Sequence, residues 1–113
     1  MLSLDLMKVL LTFLLLGILL SILRRKGITC RTYVTKKPDI VFEIKDKKYA
    51  IEVETGKVNN TKQLKEKREL CNKEYGKDWF FVVANKNLTF DYKKYGYCFD
   101  KRNVKKKILS ICV

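Results

Sequence analysis

Hydrophobic and polar positions divide the chain into stretches of distinct period. Residues 9–23 are apolar, interrupted only by Thr12, Gly17 and Ser21, so a helix built from them has no polar face. Residues 28–35 alternate and are rich in β-formers, which predicts a first strand. Residues 37–44 and 48–57 also alternate with period two around a polar break at residues 45–47, and predict a β-hairpin. Strong helix formers fill residues 62–75, with Asn60 or Thr61 as N-cap, Leu64, Leu70 and Cys71 towards the core and Gly76 closing the helix. The unbroken apolar run 80–84 predicts a buried central strand, parallel to a neighbour. Leu88-Thr89-Phe90 reads as a further short strand, residues 92–97 as an aromatic and basic loop, and residues 102–113 as a last helix or strand.

Pairing Lys45 with Lys48 in the hairpin sets residue 39 opposite 54, 41 opposite 52 and 43 opposite 50. One face is then apolar: Ile40, Phe42, Ile44, Tyr49, Ile51 and Val53. The other gathers Asp39, Glu43, Glu52 and Glu54 around Val41 and Ala50. Like charges at neighbouring strand positions repel, so this face requires a cation. Asp39 and Glu52 would lie within reach of one hard divalent ion, with the Val53 carbonyl as a further oxygen ligand. Such a ligand set suits Mg²⁺ or Mn²⁺ and not Zn²⁺. The simpler alternative is a solvated hairpin face balanced by Lys47, Lys48 and Lys57.

A chain of 113 residues holds one domain, here α/β (α+β) with helices over a mixed sheet. Its net charge of +13 lies downstream of the first apolar run and favours a polyanion, either nucleic acid or an anionic membrane face. Histidine is absent, which removes imidazole general bases and most zinc sites and leaves carboxylates and lysines for any catalysis. Cys30, Cys71, Cys98 and Cys112 form no Cys-x-x-Cys pair and read as free, mostly buried thiols in a reducing cytoplasm.

The first apolar run falls short of the ~20 residues that cross a bilayer unless residues 4–8 join it. Arg24-Arg25-Lys26 follow it directly. Residues 1–26 therefore read as a membrane anchor with the C-terminal side in the cytoplasm, and residues 27–113 as the globular domain. The alternative is a cytoplasmic protein whose first helix covers the sheet. A secretory signal peptide would carry its basic residues before the apolar core and a small-residue cleavage site after it, the reverse of this pattern.

Pro38-Asp39, followed thirteen residues after the aspartate by Glu52-Val53-Glu54, sits in the order helix, three strands with an antiparallel hairpin, helix, buried strand. This pattern, over about residues 27–84, resembles the PD-(D/E)xK nuclease superfamily. The run Ala50-Ile51-Glu52-Val53-Glu54-Thr55-Gly56 is especially similar to small microbial members akin to archaeal Holliday-junction resolvases. The resemblance implies a minimal restriction-endonuclease-like core, a mixed sheet in αβββαβ order preceded by the apolar helix. It also implies Mg²⁺ (or Mn²⁺) held by Asp39 and Glu52, and metal-dependent hydrolysis of DNA phosphodiesters. The position of the motif's lysine is Glu54 here, and the first helix lacks the Glu that many members place in it.

On that resemblance, Lys57, or Lys62 and Lys65 on the following helix, would supply the positive charge. Gln63 would match a polar residue that several members place near the site. Lys93 and Lys94 beside Tyr92, Tyr95 and Tyr97 would hold the backbone and stack on exposed bases. A domain this small would complete its groove as a homodimer. The competing function is a catalytically inactive nuclease-like domain that binds nucleic acid or an anionic membrane surface.

Overall fold

The computed structural model describes residues 4–33 and 39–112. The elements run α1 (Leu4–Arg25), β1 (Cys30–Thr32), β2 (Ile40–Ile44), β3 (Lys47–Glu54), α2 (Thr61–Tyr75), β4 (Trp79–Val83), α3 (Lys86–Tyr92), β5 (Cys98–Phe99) and α4 (Lys101–Cys112). The sheet is mixed, in the order β1-β2-β3-β4-β5. Its β1-β2 and β2-β3 pairs are antiparallel, and β3-β4 and β4-β5 are parallel. The succession αβββαβ is present only with the apolar α1 as its own first helix, not as a helix preceding it, and it continues into α3, β5 and α4.

Lys45 and Asp46 both take left-handed backbone, with φ 53° and 65°. Positive φ at both central residues is the signature of a tight two-residue hairpin turn, whose twist matches that of the flanking strands. This turn pairs Ile44 with Lys47 and Ile40 with Ile51, so the hairpin register differs from the expected one by two residues. A shift of two keeps every side chain on its face but changes its neighbour. Glu43 pairs with Lys48 and leaves the acid cluster, and the register carried one step further puts Asp39 opposite Glu52.

One face of the sheet buries Ile40, Phe42, Ile51, Val53, Phe80 and Val82 under α1 and α4. The α1 residues are Leu15, Leu19 and Leu23, spaced four apart on one helical stripe, and α4 contributes Val104 and Ile108. Helix α1 thus covers the sheet, as in the alternative reading of residues 1–26. Among the described residues no helix is long and apolar enough to cross a membrane, and the transmembrane reading gains no support.

The other face packs Ala50, Trp79, Phe81 and Val83 against Leu64 and Cys71 of α2 and Leu88 and Tyr92 of α3. All five β4 residues are buried, as a strand covered on both faces requires. The α2 boundaries follow the sequence: Asn60 accepts the Gln63 N–H at 3.0 Å, and Gly76 caps with φ 61°.

Several expectations need correction. Residues 88–90 are helical, because Asn85 N-caps α3 and the Leu88/Tyr92 spacing of four buries one helical stripe. Leu70 is exposed, since Leu64 and Cys71 already define the buried stripe of α2. Among the described residues the first strand is Cys30–Thr32, starting later than expected, and residues 34–35 lie outside them. The turn expected before Asp39, Pro38 included, lies outside the described residues. The final segment is a helix with Val104 and Ile108 buried. The four cysteines are free thiols, and Cys71 is the buried one.

Candidate functional site

Asp39, just before β2, and Glu52 and Glu54, at the C-terminal end of β3, share the sheet face that α2 crosses. The Asp39 carboxylate reaches across to β3 and accepts the Val53 N–H at 2.7 Å, which fixes it beside Glu52. Glu52 is 5% exposed. Into this cluster α2 sends Lys67, whose Nζ stands 3.7 Å from Glu52 Oε2 and 3.4 Å from Glu54 Oε1. Tyr92, at the end of α3, donates to the Gly56 carbonyl at 2.8 Å and holds its hydroxyl 3.4 Å from Glu54 Oε2. Four elements meet here: β2, β3, α2 and α3.

Three carboxyls facing one ammonium leave the site short of positive charge, and their titration reflects it. Burial, and then Asp39 beside it, push the Glu52 carboxyl up to about 8, against the pull of Lys67. Burial likewise raises Asp39, opposed by the Val53 N–H and Lys67. Glu54 is raised by burial against its contact with Lys67. Burial alone would lower Lys67, but Glu54, Glu52 and Asp39 outweigh it and raise its pKa, so the ammonium is firmly protonated at neutral pH.

Among the described residues no group of three or more His, Cys, Asp or Glu is arranged to hold a metal ion. An ion at this site would rest on the two carboxylates of Asp39 and Glu52, completed by water. Mg²⁺ is commonly held in that way, by one or two carboxylates. The donors fit such an ion, since they are hard carboxyl oxygens whose ionised form the site disfavours without a further cation.

Lys57, expected to supply the site's lysine, is exposed in the loop between β3 and α2, and Lys62 and Lys65 are exposed on α2. None of the three stands where Lys67 does. Lys67 follows Leu64 by three residues and precedes Cys71 by four, so a lysine occupies the helix's buried stripe. That spacing was the available signal for it. Gln63 is near the site: with Glu54, Asn60, Lys67 and Tyr92 it lines a small cavity of about 50 Å³.

Lys93 and Lys94 are not brought to the carboxylates. Their ammonium groups stand 4.7 and 5.3 Å from the Phe90 ring centroid. With Trp79, Tyr95 and Tyr97 they line a separate groove of about 560 Å³. Trp79 begins β4, whereas Val83 at its other end pairs with Glu54, a separation of about 13 Å along the strand. Tyr92, expected in an aromatic and basic loop, ends α3 instead, is buried and belongs to the site.

Helix α2 does not cover β1 and β2 on this face. The result is an open groove of about 560 Å³ floored by Arg31, Tyr33, Val41, Glu43 and Lys48 and walled by Glu74 and Tyr75 of α2. Tyr33, at one end of this groove, donates its N–H to the Asp39 carbonyl at 3.1 Å. The chain matches no known family model, no characterised protein and no solved structure.

Proposed function

We propose that the chain is a metal-dependent endonuclease of the PD-(D/E)xK superfamily that hydrolyses DNA phosphodiesters, with Asp39, Glu52, Glu54 and Lys67 as its working groups. The observation that carries this reading is the Lys67 ammonium, 3.4 Å from Glu54 and 3.7 Å from Glu52. The motif to which Pro38-Asp39 and Glu52-Val53-Glu54 are similar ends in a lysine, and this chain has Glu54 in its place. A lysine delivered from α2 supplies that charge by another route. The αβββαβ succession supports the assignment to a restriction-endonuclease-like core.

Asp39 and Glu52 would hold Mg²⁺ or Mn²⁺, which when bound supplies Lewis acidity at the phosphate and an acidified water. Holding it requires Glu52 to shed the proton that it retains up to about pH 8, so ion uptake at neutral pH releases protons. Lys67, kept protonated by its acidic neighbours, offsets the charge that develops on phosphate oxygens and does not act as a base. Burial raises the Glu54 pKa above its ordinary value, and its carboxyl stands beside Tyr92 and Lys67, which suits it to take a proton from water. The open groove lined by Arg31, Tyr33 and Lys48 offers a path for the substrate backbone, with Arg31 and Lys48 as phosphate partners.

The test is cleavage of plasmid, linear and branched DNA by the full chain with Mg²⁺ or Mn²⁺ and with chelator, beside Asp39→Ala, Glu52→Gln and Lys67→Ala. Metal-dependent cutting that falls by roughly a hundredfold or more in each variant is expected. Folded protein that binds DNA and never cuts it would overturn the nuclease reading and leave a nucleic-acid-binding module.

A further inference from the structure

The two faces of the sheet are covered very differently. The acidic groups of the site lie under α2 and α3, whereas α1 and α4 pack side by side on the opposite face. With Leu15, Leu19 and Leu23 turned inward, the outward stripe of α1 runs through Leu10, Phe13, Leu14, Gly17 and Ser21 to Arg24 at about 100° per residue. Phe13 and Leu14 are 66% and 65% exposed, and Val9, Leu10 and Ile18 are exposed as well. A contiguous apolar patch of this kind marks an interaction surface in a soluble domain.

Thr12 Oγ1 lies 3.4 Å from Thr55 Oγ1, at the end of β3. The residues of α1 before Thr12 therefore project past the sheet by about 12 Å, at about 1.5 Å per residue. The projecting end carries Leu6, Met7, Val9, Leu10 and Leu11 exposed, with Asp5 and Lys8 among them in the sequence, and the other end is basic, where Arg24 and Arg25 are exposed. Beside it the exposed side of α4 carries Lys101, Arg102, Lys105 and Lys106. Among the described residues, α1 from Leu6 onward and α4 hold no acidic side chain. One side of the molecule thus combines an apolar ridge with a row of cations.

From this juxtaposition we infer that the α1/α4 face seats the protein on an anionic lipid bilayer. The outer stripe of α1 lies in the interface, and Arg24, Arg25 and the α4 cations contact headgroup phosphates. An interfacial helix with apolar residues on one side and basic residues at its margin binds through both parts, and each basic residue near an anionic surface adds to the affinity. A second copy of the chain is a poorer occupant, because face-to-face packing would oppose two all-cationic rows. Nucleic acid would meet the cations but leave Phe13 and Leu14 in water. Since the acid cluster lies on the opposite side of the sheet, seating in this manner leaves it open to solvent.

The experiment is flotation of the full chain with vesicles of phosphatidylcholine alone and of phosphatidylcholine mixed with phosphatidylglycerol, in low and high salt. Two exposed-site variants accompany it, Phe13→Ser/Leu14→Ser and Arg102→Glu/Lys106→Glu, with circular dichroism to confirm folding. Anionic vesicles should bind about tenfold or more tightly than neutral ones, and salt should weaken that preference. The apolar variant should lose roughly a hundredfold in affinity and the charge variant the lipid preference.

No flotation with anionic vesicles would overturn the proposal. So would neutral and anionic vesicles binding alike with Phe13→Ser/Leu14→Ser unaffected. A dimer in sedimentation that Phe13→Ser/Leu14→Ser converts to monomer, without vesicle binding, would assign the face to a second copy. Loss of DNA binding by Arg102→Glu/Lys106→Glu with vesicle binding intact would assign the basic row to nucleic acid. Vesicle binding is read without divalent metal and in Asp39→Ala, so its failure and the failure of nuclease activity are separate results.

Discussion

The Lys67 ammonium of α2 stands 3.4 Å from Glu54, thirteen residues earlier in the chain, and couples the strand that carries the acids to the helix that follows it. Replacing Lys67 by alanine removes the cation facing three carboxyls. On the proposed nuclease reading, cleavage should fall by roughly a hundredfold or more while DNA affinity changes little, because the lysine would act on developing charge and not on general phosphate attraction. Lys57→Ala, in the exposed loop, should cost far less. Single-turnover cleavage rates beside DNA affinities for the two variants check the assignment.

Tyr92 joins the site to the loop behind it by donating to the Gly56 carbonyl at 2.8 Å with Glu54 Oε2 at 3.4 Å. Tyr92→Phe keeps the buried ring and removes the hydroxyl alone. Unfolding in urea should show a loss of about 1 kcal/mol. The cleavage rate should drop with little change in DNA affinity, since Glu54 loses a partner that orients it.

Much of this architecture was legible in the sequence, because period and capping are local properties. The α2 ends follow from Asn60 and Gly76, the burial of β4 from its apolar run, and the inner hairpin face from alternation. Alternation places Glu43 on the acid face but cannot tell a register from one shifted by two, so it cannot show that Glu43 pairs with Lys48 or that Asp39 stands opposite Glu52 and not Glu54. The turn decides that register, through Lys45 and Asp46, and neither is a residue that advertises positive φ as glycine does. Composition does not single out Lys67 among the many lysines of α2; its place between Leu64 and Cys71 on the buried stripe does. Tyr92 could not be placed without knowing that residues 86–92 form a helix, since only that turns its ring inward.

Asp46 holds a left-handed φ of 65° at the hairpin turn, a conformation that disfavours side chains with a Cβ. Asp46→Gly should stabilise the fold by about 0.5–1 kcal/mol. The turn lies at the opposite end of β3 from Glu52 and Glu54, so cleavage should be unchanged. A higher urea midpoint with an unaltered slope is the expected result; a lower midpoint would mean that the turn is not the two-residue left-handed one.

The metal-free site should make stability fall as pH rises. A carboxyl raised above its ordinary value binds a proton more tightly in the folded chain than in the unfolded one, so folding gains from the protonated form. For Glu52, raised from 4.5 to about 8, that contribution is complete below about pH 4.5 and is lost as pH climbs through about 8. The slope from this one group approaches about 1.4 kcal/mol per pH unit inside the window, and the raised Asp39 and Glu54 act in the same direction. Glu52→Gln, which keeps the shape and cannot ionise, should flatten the profile between pH 5 and 8 and make the metal-free protein more stable at pH 8. Saturating Mg²⁺ should flatten the native profile as well, by binding the ionised pair in the folded state only. Urea midpoints across this range, with chelator and with Mg²⁺, decide the matter: a native profile that rises with pH under chelator would mean that Glu52 is ionised in the folded chain and that its burial is already compensated by Lys67.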